Sequence, residues 1–331
     1  MIITRTPFRI SFAGGGSDLP SFYSEEPGMV LSAAIDKYMY LTVKKAFGPT
    51  YRISYSRTEL RERIDDIEHP IVRECLKAVP APAGDEIVSI ADLPANTRMG
   101  SSSSFTVGLL GALNAMAGRV IGAGALAAAA CDVEINRLLE PIGKQDQYIA
   151  AYGGLQFIQF MPSGDVFVDP VICSREIRAE LSRRLLLFYT GATRDAKTVL
   201  TRQTTRTAVN RPNLRELCRI AREMREILTM GKDLNVFGRL LHEAWTLKRA
   251  LESTISNPAI DEWYAKAMQA GALGGKLLGA GGGGFLLFFC EPHLQGRLKE
   301  ALSELNCVPF DFEPQGCKVI YVGDEHWARP H

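Results

Sequence analysis

The sequence has almost no net charge, because 38 lysine and arginine residues oppose 37 aspartate and glutamate residues among 331 positions. A chain without a strong positive field has no general attraction for nucleic acid or for an anionic membrane surface. Long apolar runs are also missing, since Asn114, Arg119 and several glycines interrupt the most apolar stretch, Phe105 to Cys131. That stretch falls short of the roughly 18 uninterrupted apolar residues typical of a membrane span. We expect neither nucleic acid nor membrane as a partner.

Paired cysteine motifs are likewise missing. The seven cysteines are odd in number and scattered, and no two of them form a C-x-x-C pair. This pattern argues against a disulfide framework and a zinc site, and it favours buried thiols in a reducing compartment. The N-terminal residues show no apolar core behind a basic segment and no small-residue cleavage site, so no signal peptide is predicted. We therefore expect a cytoplasmic protein.

The chain has enough apolar residues, 46% of the total, to bury the cores of two domains. Alternating branched and aromatic residues predict strands in the N-terminal part, and two helices follow between Ser101 and Leu139. Farther on, Leu185–Tyr189 reads as a buried strand before several amphipathic helices, and the strand Phe285–Phe289 follows a glycine-rich loop. The order predicts an α+β protein with one domain over residues 1–175 and a second over residues 176–331.

A serine-rich helix start follows one of the predicted strands. Gly100 and the four serines Ser101–Ser104 stand where the loop after Asp92 enters a long helix. The first N–H groups of a helix have no intrahelical partner, and the helix dipole adds partial positive charge there. Small side chains would let a phosphate approach these donors, and a serine hydroxyl could ligate Mg²⁺. The same residues would also serve as a serine-rich N-cap.

A second polar segment surrounds Asp146, which lies between two glutamines and close to Lys144 in an otherwise apolar neighbourhood. A carboxylate in such a setting is either a general base or a helix cap. We expect Lys144 to hold it ionised. Glu134, on the preceding predicted helix, is a weaker candidate for chemistry, since a helical glutamate usually lies on the wet face.

Glycine dominates two further segments. In the N-terminal segment, Pro7–Pro20, Asp18 could accept hydrogen bonds from substrate hydroxyls, and Arg9 could stabilise a transferred phosphate or orient the base. A capped tight turn is the alternative there. The C-terminal one, Lys276–Phe285, formally contains G-x-G-x-x-G but runs into a strand, so it predicts close approach of a backbone or ligand and disfavours a dinucleotide site.

In their order along the chain, these segments resemble the GHMP kinases, the family of galactokinase, homoserine kinase, mevalonate kinase and phosphomevalonate kinase. Pro7–Asp18 looks like the first family motif, Pro94–Ser104 like the phosphate loop, and Gly279–Gly284 like the C-terminal glycine motif. The resemblance spans nearly the whole chain. It implies the GHMP kinase fold, with an N-terminal α/β domain similar to ribosomal protein S5 and a C-terminal ferredoxin-like α+β domain.

The segments AGGGSDLP, GKQDQYIAAYGG and YTGATRDA most resemble the bacterial D-glycero-D-manno-heptose 7-phosphate kinases. This resemblance implies a kinase that uses ATP and Mg²⁺ to phosphorylate a sugar or sugar-phosphate hydroxyl, with the anomeric hydroxyl of the heptose 7-phosphate as the expected acceptor. A kinase for fucose, galactose or mannose and a catalytically silent sugar or ATP sensor remain open alternatives. A purely structural interaction protein is disfavoured, and the apolar helices are compatible with a homodimer.

The resemblance also implies residue roles. Asp146 would be the base for the acceptor hydroxyl, with Lys144 and Arg9 neutralising charge, while Ser102 and Glu134 would hold Mg²⁺. The expected ATP-binding residues form the phosphate loop: Asn96, Arg98, Met99, Gly100, Ser101, Ser102, Ser103 and Ser104. Arg98 departs from the family pattern, which commonly has glycine there. The expected substrate-binding residues are Gly14, Gly15, Gly16, Ser17, Asp18, Gln145, Arg194, Gly281, Gly282 and Gly283, with Arg194 a candidate for a substrate phosphate.

Overall fold

Two β-sheets, each with its own helices, make up the fold. The computed structural model of the chain describes residues 1–79, 84–94, 97, 99–191, 201–202 and 204–323. The first sheet draws most of its strands from the N-terminal half of the chain, and the second sheet draws all of its strands from the C-terminal half. The candidate active site lies where these two units meet.

Within the described residues, the first sheet has eight strands. They are β1 (Ile2–Ala13), β2 (Gly28–Lys45), β3 (Tyr51–Ser54), β4 (Thr58–Arg61), β5 (Asp85–Ala91), β6 (Leu155–Phe160), β7 (Val166–Pro170) and β12 (Lys318–Val322). Six of them follow the order β12-β1-β2-β5-β3-β4, while β6 pairs with β2 and β7 with β6. The long antiparallel pair β1–β2 forms the centre of the sheet, and its register runs from Ile2 opposite Val43 to Ala13 opposite Leu31.

Helices of the N-terminal unit pack on this sheet. They are α1 (Pro20–Tyr23), α2 (Pro70–Ala78), α3 (Ser101–Met116), α4 (Ala123–Cys131) and α5 (Gln145–Tyr152), and a π-helical turn (Asp132–Arg137) follows α4. The central helix, α3, lies against β1 and β2 and is buried from Ser103 to Asn114. Its small residues permit this close approach, since a Cβ on Gly108 would lie 2.7 Å from Thr6 Oγ1. Within the described ranges, no helix is long and apolar enough to cross a membrane.

The second sheet is antiparallel and has four strands in the part of the chain that the structure describes. These are β8 (Leu185–Tyr189), β9 (Ala272–Leu277), β10 (Phe285–Cys290) and β11 (Asn306–Val308), in the order β11-β8-β10-β9. The helices of this unit are α6 (Arg175–Arg184), α7 (Thr207–Met230), α8 (Leu234–Leu251), α9 (Pro258–Gln269) and α10 (Gln295–Ala301). From β8 onward, helices separate β8 from β9 and β10 from β11, which is the split βαβ arrangement of a ferredoxin-like fold. The expected ferredoxin-like unit is therefore confirmed.

The end of the chain returns to the first sheet. Phe312 forms a bridge with Ile35, and β12 then pairs antiparallel with β1. The predicted C-terminal domain, residues 176–331, therefore does not coincide with one structural unit, because β12 belongs to the first sheet. Pairing between the two ends of a chain leaves no local signal in the sequence, so composition alone could not reveal it.

Buried contacts join the two units near the end of β1. Lys276 Nζ, on β9, donates to the Phe12 carbonyl at 2.9 Å. The Phe12 ring packs edge-on against Phe237 of α8, with ring centroids 5.2 Å apart. Burial of Lys276 and the proximity of other cations hold its pKa well below its ordinary value. These contacts seat β9 and α8 of the second unit against the glycine turn that follows β1.

Candidate active site

The centre of the candidate site is an ion pair between Arg9 and Asp146. Arg9 lies on β1 and is only 4% exposed, while Asp146 is the second residue of α5. Arg9 Nε donates to Asp146 Oδ1 at 2.7 Å, and Arg9 Nη2 donates to Oδ2 at 2.8 Å. One planar guanidinium therefore fixes both the position and the rotation of the carboxylate.

The start of α3 lies directly beside this ion pair. Gly100 precedes the helix with a φ of 80°, a left-handed conformation that favours glycine. A Cβ on Gly100 would lie 3.3 Å from Arg9 Cγ and 3.4 Å from Asp146 Oδ2. The N–H groups at the start of this 16-residue helix are thus close to the carboxylate, in an arrangement that commonly binds phosphate.

The four serines at this helix start differ in their surroundings. Ser101 is half-buried and Ser102 is exposed, whereas Ser103 and Ser104 are buried. Ser104 Oγ donates to the Pro7 carbonyl at 2.8 Å and so fastens α3 to β1. The expected ATP contact of the Ser104 side chain is therefore not supported, because its hydroxyl is used inside the fold.

The loop before α3 also packs into the protein interior. Met99 is fully buried, and its carbonyl accepts a hydrogen bond from the Arg9 N–H at 3.1 Å. Thr97 is buried as well, with its hydroxyl donating to the Pro94 carbonyl. Met99 thus contributes to the site through its backbone, which places Arg9 beside the helix start. Two other predicted ATP-binding residues, Asn96 and Arg98, lie outside the described residues.

A buried carboxylate lies next to the same helix start. Glu134 is 1% exposed and belongs to the π-helical turn after α4, a local irregularity often found at functional sites. Gln147 Nε2 donates to Glu134 Oε2 at 2.7 Å, and the hydroxyls of Ser103 and Ser102 also hydrogen-bond to the carboxylate. Burial raises the pKa of Glu134 to about 7 in spite of these hydrogen bonds. The two residues predicted to hold Mg²⁺, Ser102 and Glu134, therefore lie together.

The donors around Glu134 fit a divalent cation. Gln147 is fully buried, and its Oε1 has no hydrogen-bond partner in the described part of the chain. A carboxylate, a hydroxyl and an amide oxygen are hard oxygen ligands of the kind that Mg²⁺ prefers, and Mg²⁺ usually takes one or two carboxylates together with substrate phosphates. A bound cation would also supply the opposite charge that a buried carboxylate requires.

The glycine turn after β1 brings a second carboxylate to the site. Asp18 is buried, and it accepts hydrogen bonds from the Gly16 N–H at 2.8 Å and the Gln145 N–H at 3.3 Å. Burial raises the pKa of Asp18, and the charge of Asp146 adds to this effect, although the backbone donors lower it. A Cβ on Gly143 would lie 1.9 Å from Asp18 Oδ2, so only glycine lets the turn and the start of α5 meet.

A pocket lies between the two units, beside the ion pair of Arg9 and Asp146. The side of the N-terminal unit presents Arg9, Asp18, Asp146, Gln145, Gly15 and Gly16, and Lys248, Gly279 and Ala280 line the opposite side. Most of the predicted catalytic and substrate-binding residues of the N-terminal unit are thus brought together in one place.

Two residues of the glycine turn do not line this pocket. Ser17 Oγ donates to the Gly14 carbonyl at 2.8 Å and accepts from the Met29 N–H at 2.9 Å. A Cβ on Gly14 would lie 1.8 Å from the Met29 carbonyl oxygen. The prediction that Gly14 and Ser17 contact the substrate is therefore not supported, because both residues hold the turn against β2.

Lys144 does not pair with Asp146. Its Nζ donates to the Gly164 carbonyl at 3.2 Å and lies 4.8 Å from the ring centre of Tyr23. The expectation that Lys144 neutralises the charge of Asp146 is not supported, because Arg9 is the cation that contacts this carboxylate. The side chain extends toward the turn between β6 and β7 instead.

The C-terminal glycine loop reaches the pocket through fewer residues than predicted. Gly279 and Ala280 line it. Gly281 and Gly282 pack elsewhere: a Cβ on Gly281 would lie 2.6 Å from Ile255 Cα, and the Gly282 N–H donates to the Ile255 carbonyl at 2.8 Å. The expected substrate contact of the buried segment 281–283 is thus not supported, because these glycines let the loop pack against the chain after α8.

Two polar side chains of the pocket, those of Lys248 and Ser11, are missing from the sequence-based prediction. Lys248, on α8, donates to the Gly279 carbonyl and brings a positive charge to the pocket from the second unit. It reads in the sequence as an ordinary lysine of an amphipathic helix, so no signal marked it. Ser11 lies two residues after Arg9 on β1, and the alternation of side chains along a strand could have placed it on the same face. Arg194, the predicted phosphate-binding residue, lies outside the described residues.

Two models of one protein family match the chain. The model of the GHMP kinases N-terminal domain matches residues 51–154, and the model of the GHMP kinases C-terminal region matches residues 224–306. Together these stretches make up more than half of the chain.

Similar proteins extend the match to nearly the whole chain. The D-glycero-alpha-D-manno-heptose 7-phosphate kinase of Campylobacter jejuni is 29% identical over 336 residues, which cover 96% of this chain and 98% of that protein. The crystal structure of a D-glycero-D-manno-heptose 1-phosphate kinase from Bacteroides thetaiotaomicron aligns with a TM-score of 0.80 at 24% identity, covering 98% of this chain and 100% of that one. A putative sugar kinase from Campylobacter jejuni aligns with a TM-score of 0.76 at 28% identity, covering 96% and 97%. The fold expected from the sequence is confirmed.

Proposed function

The chain belongs to the GHMP kinase family, and we propose that it transfers the γ-phosphoryl group of ATP to a hydroxyl of a sugar phosphate. The proposed acceptor is D-glycero-D-manno-heptose 7-phosphate, phosphorylated on its anomeric hydroxyl to the 1,7-bisphosphate. The observation that carries this proposal is the ion pair of Arg9 and Asp146 at the α3 start, in a pocket that also holds Asp18. Similarity to the Campylobacter jejuni heptose 7-phosphate kinase supports the choice of acceptor.

The α3 start is the proposed site for the ATP phosphates. Its N–H groups and the positive end of the helix dipole favour an anion there, and Ser101 and Ser102 reach solvent beside them. The Cβ position of Gly100 lies only 3.4 Å from Asp146 Oδ2, so a phosphate over this glycine would be adjacent to the carboxylate. Such positioning is the main requirement of phosphoryl transfer.

Asp146 is the proposed general base. It would accept the proton of the acceptor hydroxyl while the hydroxyl oxygen forms a bond to the γ-phosphorus and the bond from that phosphorus to the leaving ADP oxygen breaks. Arg9 would keep the carboxylate aimed at the hydroxyl and offset negative charge on the transferred group. The two hydrogen bonds that join these side chains support both roles.

Glu134 and Ser102 are the proposed Mg²⁺ ligands, with Gln147 Oε1 beside them. The cation would neutralise charge on the ATP phosphates when bound. The contribution of this chain is a preformed set of oxygen donors next to the α3 start.

The acceptor would lie in the pocket between the two units. Asp18, Gln145 and the backbone of the glycine turn would bind its hydroxyls from one side. Lys248 is our candidate for its phosphate from the other side, because an ammonium group is a common phosphate ligand. A sugar phosphate thereby has a partner for each of its two kinds of polar group.

The decisive experiment is ADP release from Mg·ATP with a panel of acceptors. The panel contains the heptose 7-phosphate, the free heptose, mannose, fucose, galactose and their phosphates, and phosphorus NMR gives the position of the new phosphate. Selective turnover of the heptose 7-phosphate at its anomeric hydroxyl is expected, with Asp146→Asn as the inactive control. Selective turnover of another sugar would replace the acceptor, and nucleotide binding without turnover of any acceptor would favour a silent sensor.

A further inference from the structure

One buried hydroxyl in the pocket has no hydrogen-bond partner among the residues that the structure describes. Ser11 is 5% exposed and lines the pocket on the same strand as Arg9. Its Oγ makes no hydrogen bond to any residue within the described ranges. Most buried hydroxyls are hydrogen-bonded, because an unpaired one loses its contacts with water and gains nothing in return. An unpaired hydroxyl at the wall of a pocket therefore points to a partner that arrives with the ligand.

The surroundings of Ser11 form a small polar floor. Ser11 is opposite Ser32 in the β1–β2 pair, and the Ser32 hydroxyl donates to Gln145 Oε1 at 3.5 Å. The Cβ position of Gly15 lies 3.5 Å from Gln145 Nε2 and 3.8 Å from Ser11 Oγ. Gln145 thus turns its amide nitrogen toward Gly15, and the Ser11 hydroxyl lies near the same glycine. Both groups border the pocket next to Asp146.

We propose that Ser11 Oγ hydrogen-bonds a hydroxyl of the sugar acceptor and that Ser11, with Gln145, selects acceptors by the arrangement of their hydroxyls. The inference rests on the proposed function, which supplies the acceptor class. A serine hydroxyl donates one hydrogen bond and accepts two, which matches a sugar hydroxyl. A phosphate is the poorer match here, because Asp18 and Asp146 line the same side of the pocket and would repel it.

The test compares Ser11→Ala with the wild-type protein on the acceptor that the panel identifies. Loss of one hydrogen bond to the substrate is expected to raise the acceptor KM about three- to tenfold and to leave the ATP KM unchanged. Acceptor analogues, each with one hydroxyl replaced by hydrogen, then identify the partner. For one analogue, the rise in KM measured with wild type should equal the rise that Ser11→Ala causes with the intact acceptor. The analogue and the mutation together should then raise KM no more than either change alone.

Two further measurements separate binding from folding. Without ligand, Ser11→Ala should melt no lower than wild type, because the removed hydroxyl has no partner to lose. Thr6→Val is the matched control, since Thr6 is a buried hydroxyl residue on the same strand that faces Gly108 of α3 and does not line the pocket. It should leave the acceptor KM unchanged, so a rise confined to Ser11→Ala marks a ligand contact.

The possible failures are distinguishable. If wild type turns over a sugar and Ser11→Ala has the same acceptor KM, or no analogue shows the expected non-additivity, the Ser11 inference is wrong and the proposed function stands. If no acceptor is turned over but one raises the melting temperature of wild type, loss of that rise in Ser11→Ala still supports the contact. If no acceptor is turned over and none raises the melting temperature, both proposals fail.

Discussion

Arg9 and Asp146 are joined by two hydrogen bonds, at 2.7 Å and 2.8 Å, that engage both carboxylate oxygens of a residue far away in the sequence. The pair joins β1 to the start of α5, and the absent Cβ of Gly100 lets the α3 start close against it. Three elements thereby meet at one carboxylate. The proposed base and the proposed phosphate site thus form a single unit, and neither can shift without moving the other.

Replacement of Asp146 by asparagine should separate chemistry from binding. Asp146→Asn is nearly isosteric but cannot accept a proton as a carboxylate does, so we expect kcat to fall by about two to four orders of magnitude. Nucleotide binding, measured as the rise in melting temperature with Mg·ATP, should remain close to wild type because the α3 start is intact. Turnover near the wild-type rate would remove Asp146 from the mechanism.

The two cations near Asp146 should respond differently to mutation. Arg9→Lys keeps the charge but loses the planar fork that holds both oxygens, so we expect kcat to fall at least about tenfold, together with a lower melting temperature. Lys144→Met removes a charge that, among the described residues, contacts Gly164 and Tyr23, and kcat should stay within about twofold of wild type. Equal losses in the two variants would contradict the assignment of Arg9 as the partner of the base.

Local patterns in the sequence were sufficient for much of the fold. The predicted bounds of β8, Leu185–Tyr189, are those of the structure, and α3 begins at Ser101 as expected. Both features depend on neighbouring residues: a run of buried apolar side chains in one case, and small capping residues before a helix in the other. By contrast, local patterns do not predict helix α2 or strand β9. The strand pattern of β9 is weakened by Gly274 and Gly275.

The partners within the site were harder to predict, because they depend on contacts between distant segments. Lys144 is two residues from Asp146 in sequence, yet its ammonium contacts the Gly164 carbonyl, while the carboxylate pairs with Arg9. Lys248 comes from a helix of the other unit and carries no local motif. Proximity in sequence is thus a poor guide to the ion pairs of a site built from two units.

The stability of the metal-free protein should depend on pH through Glu134. The pKa of this carboxyl is about 7 in the folded protein against an ordinary value of 4.5, so the folded state binds its proton more tightly than the unfolded state. The free energy of unfolding contributed by this group is therefore highest below the ordinary value and falls as pH rises toward 7, by up to a few kcal/mol at about 1.4 kcal/mol per pKa unit. Glu134→Gln should lack this slope in denaturant titrations with a chelator present.

The same variant tests the metal assignment. Glu134→Gln removes the charged oxygen ligand, so the Mg²⁺ concentration that gives half-maximal activity should rise, while kcat at saturating Mg²⁺ falls less. Ser104→Ala is a useful control, because its hydroxyl bonds to the Pro7 carbonyl and does not contact Glu134 in the structure. An unchanged Mg²⁺ dependence in Glu134→Gln would show that this carboxylate is not a ligand.

Lys248→Met should weaken binding of phosphorylated acceptors in particular. A charge-assisted hydrogen bond to phosphate is worth about 1.5–3 kcal/mol, so the KM for the sugar phosphate should rise roughly ten- to hundredfold. The KM for the unphosphorylated sugar should change little, and Lys232→Met, an exposed lysine just before α8, should match wild type on both acceptors. Steady-state kinetics with the paired acceptors measure this difference. If the ATP KM rises instead, Lys248 contacts the nucleotide, and if both acceptors weaken equally, it contacts a part of the sugar common to both.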